Sequence, residues 1–163
     1  MSDRAKTWLE ELKGNWPDDL EPQRQIAIST ALTLLDKGIT YSQPNRHYIG
    51  KDGMPISMDC SSYVTYCLVS AGININPQGY TGTYVHNENF DMFQDRSLLT
   101  PGDVALFNNS TSGGSSNHIG MYLGQNDEGR EIWIECSGGG ILIDKDSNVN
   151  ISSIRIRNNK GKI

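Results

Sequence analysis

The chain has 163 residues, 36% hydrophobic and 20% charged, which is enough for one domain, spanning 1–163, to bury a core without disulfide staples. The 14 Lys and Arg against 19 Asp and Glu give a net charge of −5 with no basic stripe for phosphates, so nucleic acid is not an expected partner. No apolar run approaches the roughly 18 residues of a membrane span, and no signal peptide opens the sequence, so a soluble protein made in the cytoplasm, without membrane insertion, is expected.

In chain order, the first 16 residues have the Trp8, Leu9 and Leu12 spacing of a short helix ended by Gly14. A second helix is predicted from Pro22, with Ala27, Ala31, Leu34 and Leu35 on one face and Gly38 stopping it. The Pro-, Gly- and Asn-rich stretch 40–58 reads as a long loop with a turn at "KDGM", the kind of loop that carries function. A third helix is predicted from Cys60 to about Ser70, capped by Asp59, whose carboxylate accepts from a free N–H in the first turn. A short helix is expected over 83–93, then a Pro101–Gly102 turn.

From residue 104 the period changes to two. Strands are predicted at 104–108, 118–124, 131–136, 140–143 and 151–157, with the polar loop "NNSTSGGSSN" at 108–117. Helices first and an antiparallel sheet after them define an α+β fold.

The candidate chemistry centres on "MDCSSYVTYC". A thiol reacts as the thiolate, which a helix N-terminus stabilises through its free N–H groups, and Cys60 occupies such a start. Cys60 is also in register with the apolar face of its helix, so a packed core residue is the alternative. Cys67, two turns further on, reads as core. His118 opens a strand with Gly120 beside it, while His47 and His86 lie in less regular segments. On an alternating strand Glu135 shares a face with Trp133, opposite Ile132, Ile134 and Cys136. That parity makes Glu135 either an orienting partner for a histidine or a solvent-facing residue, and makes Cys136 a packing residue. Three cysteines, an odd number, without a CxxC pair, suggest reduced thiols and no metal or other cofactor.

Together these segments resemble the NlpC-type cysteine peptidases and amidases of bacterial cell walls, a papain-like group that includes many bacteriophage lysins. "MDCSSYVTYCLVSAGI" is similar to the family's cysteine helix, "LLTPGDVALFN" to its Pro-Gly-Asp turn and first core strand, "HIGMYLG" to its histidine strand, and "IWIECSGGGILI" to the hairpin that follows. The likeness covers roughly 39–143. It implies a papain-like fold with the cysteine helix packed on a central antiparallel sheet, Cys60 as nucleophile, His118 as base and Glu135 in a third position that is usually a second histidine. It also implies that Tyr41 stands near the oxyanion site, with Asp59 and Ser61 shaping the substrate cleft.

The implied partner is bacterial peptidoglycan, cut in its stem peptide through a thioester or at the amide joining muramic acid to L-alanine. The stretch from Tyr41 to Arg46 and the serine-rich motif resemble phage lysins, reaching the wall after release or through separate targeting or delivery machinery. Three other readings stand beside it. One is a non-catalytic wall-binding or structural module. Another is a zinc site using Cys60, His118 and Cys136 or His86, although the spacings match no compact metal motif. The third is another papain-like acyl transfer, such as a transglutaminase type.

Overall fold

The computed structural model describes residues 1–79, 91–93, 95–108, 116–145 and 153–158. Helix α1 (Asp3–Asn15) starts where Ser2 accepts from the Ala5 N–H at 3.1 Å, and it runs one residue past Gly14. Helix α2 (Pro22–Leu34) buries Ala27, Ile28, Ala31 and Leu32. It ends before Gly38, because Leu35 turns extended and Asp36 takes a left-handed φ of 65°. The Asp36 carboxylate compensates by accepting from Ser2 and Arg4, tying the end of α2 to the start of α1.

The stretch expected as one loop instead holds a small sheet of β1 (Thr40–Tyr41), β2 (Tyr48–Ile49) and β3 (Pro55–Met58). β3 is central, parallel to β1 and antiparallel to β2. Two-residue strands carry no periodicity of their own, and pairing alone defines them. The "KDGM" turn stands as read, with Gly53 at φ +79°. Directly after β3 comes helix α3 (Cys60–Ser70), as predicted.

The main sheet contains β4 (Asp91–Phe93), β5 (Val104–Asn108), β6 (Ser116–Gln125), β7 (Glu131–Ser137), β8 (Gly140–Lys145) and β9 (Ser153–Asn158). Its order is β4-β9-β5-β6-β7-β8, and every neighbouring pair is antiparallel. Residues 91–93 are therefore strand where helix was expected, because they pair with β9. The rest of that expected helix, His86 included, lies outside the described residues, as do positions 109–115 of the polar loop.

The main core lies between the helices and the sheet, and a smaller buried cluster of Ala105, Tyr122 and Trp133 lies apart from it. α3 packs against β6 and β7, burying Val64, Cys67 and Leu68 against Ile119, Met121 and Ile134. Fully burying each such side chain contributes roughly 1.5–3 kcal/mol. Two long-range anchors hold helix to sheet. Arg24 of α2 reaches Asp103 at 2.7 Å and the Pro101 carbonyl at 3.1 Å, both groups buried, so the Pro-Gly-Asp turn docks on α2. Burial pushes the Asp103 carboxyl up to about 6 despite the opposing guanidinium. Trp16 donates its indole N–H to the Leu123 carbonyl at 2.8 Å and lies over Gly124, where a Cβ would come within 3.1 Å of the ring.

Candidate active site

Asp59 is the N-cap of α3. Its Oδ1 accepts from the Ser62 N–H at 2.8 Å, and the Ser62 hydroxyl accepts from the Asp59 N–H at 2.9 Å, a reciprocal capping box. Ser61 donates to the same carboxylate oxygen at 3.3 Å. The cap fixes Cys60 as the first helical residue, 7% exposed, where the helix N-terminus favours negative charge on sulfur. An Asp carboxylate next to a developing thiolate would repel it. Arg46 offsets that repulsion, with a guanidinium nitrogen 3.4 Å from Asp59 Oδ2.

His118 is the third residue of β6 and Glu135 the fifth of β7. Met121 faces Ile134 and Tyr122 faces Trp133, a register that brings His118 and Glu135 onto one face as diagonal neighbours. The His118 Nε2 is 2.7 Å from Glu135 Oε2. With Nε2 committed, Nδ1 is the ring nitrogen left for Cys60, whose side chain hydrogen-bonds the imidazole. Burial pulls the His118 pKa down, but the hydrogen bonds and charges of Cys60 and Glu135 outweigh it and raise the pKa to about 9. Both contacts therefore favour the imidazolium form of the ring.

Tyr41, half-buried at the end of β1, is close enough for Cys60 to affect its ionisation. Burial first, then the Cys60 charge, raises its pKa, while Gln43 donates to its hydroxyl at 3.3 Å. The structure thus brings Cys60, His118, Glu135, Tyr41, Asp59 and Ser61 into one neighbourhood. His47 is exposed nearby, its pKa lowered by burial and by Arg46. Cys136 is fully buried behind the site, its thiol donating to the Met58 carbonyl at 3.6 Å. Burial, then the charges of Cys60, Asp59 and Glu135, pushes its pKa up to about 12. Burial likewise raises that of Cys67. Among the described residues, no group of three or more His, Cys, Asp or Glu side chains is placed to hold a metal ion.

Arg46 is the site residue whose contact the sequence does not reveal. It stands in an irregular segment 13 positions before its carboxylate partner, and the basic residue in a candidate functional loop is the sole signal.

A helix N-terminal cysteine packed on an antiparallel sheet that carries a histidine defines a papain-like α+β architecture. Residues 38–160, more than half the chain, match the model of the NlpC/P60 family, so the chain belongs to that family of cysteine hydrolases. Among solved structures it is similar to NlpC1 from Trichomonas vaginalis, with a TM-score of 0.60 and 19% identity over 87% of this chain and 45% of that one. The chain spans about half the length of that protein, and at this identity the likeness is one of fold. No curated protein matches the sequence.

Proposed function

We propose that the chain is a cysteine peptidase of bacterial peptidoglycan that cleaves an amide bond in the stem peptide through a thioester acyl-enzyme. The observation that carries this reading is the relay in which the Cys60 side chain meets His118, whose Nε2 is held 2.7 Å from Glu135.

In the proposed sequence, the Cys60 proton resides on His118 before attack. The sulfur adds to the amide carbonyl, and the Cys60 backbone N–H, with Tyr41 close by, stabilises the oxyanion. His118 gives its proton to the nitrogen as the C–N bond breaks, and the amine leaves. Acylation removes the sulfur's negative charge, one of the influences holding the His118 pKa high. The ring thereby becomes a better base for the water that attacks the thioester, and it keeps the proton it takes from that water as Cys60 leaves as thiolate, which restores the starting ion pair. Glu135 keeps the ring oriented and favours imidazolium in both half-reactions. Asp59 and Ser61 shape the cleft beside the nucleophile. Cys67 and Cys136, with raised pKa values, stay thiols and do not compete.

The same machinery serves an amidase at the muramic acid to L-alanine bond, so the scissile bond must be read from products. The protein acts at the wall after release or delivery from the cytoplasm, in the manner of a phage lysin. Digestion of purified peptidoglycans with the chain and with Cys60→Ala, followed by mass spectrometry and labelling of new amino termini, tests the reading. Termini that require the thiol support it, and their identity separates endopeptidase from amidase. Release of nothing from any wall type overturns the substrate assignment and favours a binding module.

A further inference from the structure

Beside the cysteine helix, and outside the relay of Cys60, His118 and Glu135, a pocket of about 230 Å³ opens between the outer face of α3 and the small sheet. Its walls are largely apolar: Ile49, Pro55, Tyr66, Val69 and Pro77 line it, with Arg46 among them. Ile49 and Val69 are 49% and 39% exposed, large aliphatic side chains left at a pocket wall. Apolar walls with a few polar groups to fix orientation are the usual composition of a ligand site, and here Arg46 is the charged one, beside His47, Gln78 and three serines.

The bonding of Arg46 is not fully satisfied. Arg46 donates to the Gly79 carbonyl and faces Asp59 Oδ2 at 3.4 Å, long for a charge-assisted hydrogen bond, which usually lies near 2.7–2.9 Å. The other Asp59 oxygen already accepts from Ser61 and Ser62. Arg46 Nε is buried and has no partner among the described residues. Nε itself is closed to a ligand, but the side chain is 20% exposed and its ion pair is long, so the guanidinium can take a further acceptor, and a carboxylate suits it in charge and geometry. The volume lies below the usual range for a drug-sized ligand, which suits a carboxylate carried on about one or two short residues.

We propose that this pocket binds the terminal carboxylate of a short peptide with small apolar side chains, held by Arg46 and packed against Ile49, Tyr66 and Val69. Ser62, Tyr66 and Val69 of α3 line the pocket, on the helix face turned away from Cys60. The link to the thiol runs through Arg46, which faces Asp59, the cap of the cysteine helix, so a carboxylate held here acts on the site through that cap and makes Arg46 a positioning residue. That the peptide is an arm of the wall polymer rests on the function proposed above, whereas recognition of the carboxylate does not.

The test titrates the full chain carrying Cys60→Ala, which cannot turn over, with acetyl-D-alanyl-D-alanine and with its C-terminal amide, followed by NMR. Saturable shifts with the acid, at least tenfold weaker binding of the amide, and at least tenfold weaker acid binding in Arg46→Gln support the site. Arg46→Lys, which keeps the charge and loses the fork, should fall between the two. Equal binding of acid and amide, or no saturable binding of the acid up to 10 mM, overturns the proposal on the unaltered pocket, so it stays decidable even where an Arg46 variant does not fold. Unimpaired binding in Arg46→Gln overturns it as well. A protein that binds the acid and digests no wall would overturn the catalytic reading and leave this one standing.

Discussion

Replacing Glu135 by Gln keeps the size and the acceptor oxygen but removes the charge 2.7 Å from His118 Nε2. In the intact site burial lowers the His118 pKa, and the bonds and charges of Cys60 and Glu135 overcome it, bringing 6.5 up to about 9. That rise corresponds to about 3 kcal/mol of preference for imidazolium. A carboxylate in direct contact accounts for roughly 1–3 pKa units, so Glu135→Gln should drop the His118 pKa by about 1–2. Because the folded value lies above the unfolded one, the stabilisation is fully present below pH 6.5 and is lost as pH rises through about 9. The variant should therefore be less stable than the parent by roughly 1–3 kcal/mol at pH 6, with the difference fading by about pH 9.5. NMR titration of the imidazole and urea unfolding at the two pH values measure both effects. An unchanged His118 pKa, or the same stability loss at both pH values, would refute the electrostatic reasoning.

Two further substitutions test the scaffold. Asp59→Ala removes both the cap and the partner of Arg46, and should cost about 0.5–2 kcal/mol through the cap alone, whereas Asp59→Asn keeps the cap and loses only the charge; thermal melts of the pair separate the two contributions. Asp103→Asn takes from Arg24 its fully buried counter-ion and leaves the half-exposed Glu21 at 3.0 Å, so it should destabilise by about 1–3 kcal/mol in denaturant unfolding, more than an exposed pair such as Arg4–Asp36 would show when broken.

The parts of the site carried by local rules were legible in the sequence. Asp59 followed by Cys60 and an apolar run reads as a capped helix because capping is a property of adjacent residues, and the helix stands at Cys60–Ser70. Period-two alternation put Glu135 and Cys136 on opposite faces, and they lie there, one on His118 and the other in the core. Whether Glu135 met His118 or solvent depended on the register of β6 against β7, which a single strand does not encode. The small sheet was hidden for a related reason, since strands of two residues exist only through their partners. Arg46–Asp59 and Arg24–Asp103 join residues that are distant in sequence or separated by irregular chain, and the end of α2 at Leu35 depends on Asp36 reaching α1. Residues 91–93 became strand through β9, which lies far along the chain.

The central claim is that Cys60 is a thiol activated by His118. Its most direct test is the alkylation rate of each cysteine in the folded full chain by iodoacetamide, located by peptide mass mapping across pH 5–9 in the parent and in His118→Ala. The account predicts that Cys60 reacts first and slows at least tenfold without His118, while Cys67 and Cys136 remain unmodified. A Cys60 that reacts no faster than Cys67 and Cys136, or whose rate ignores His118, would contradict it.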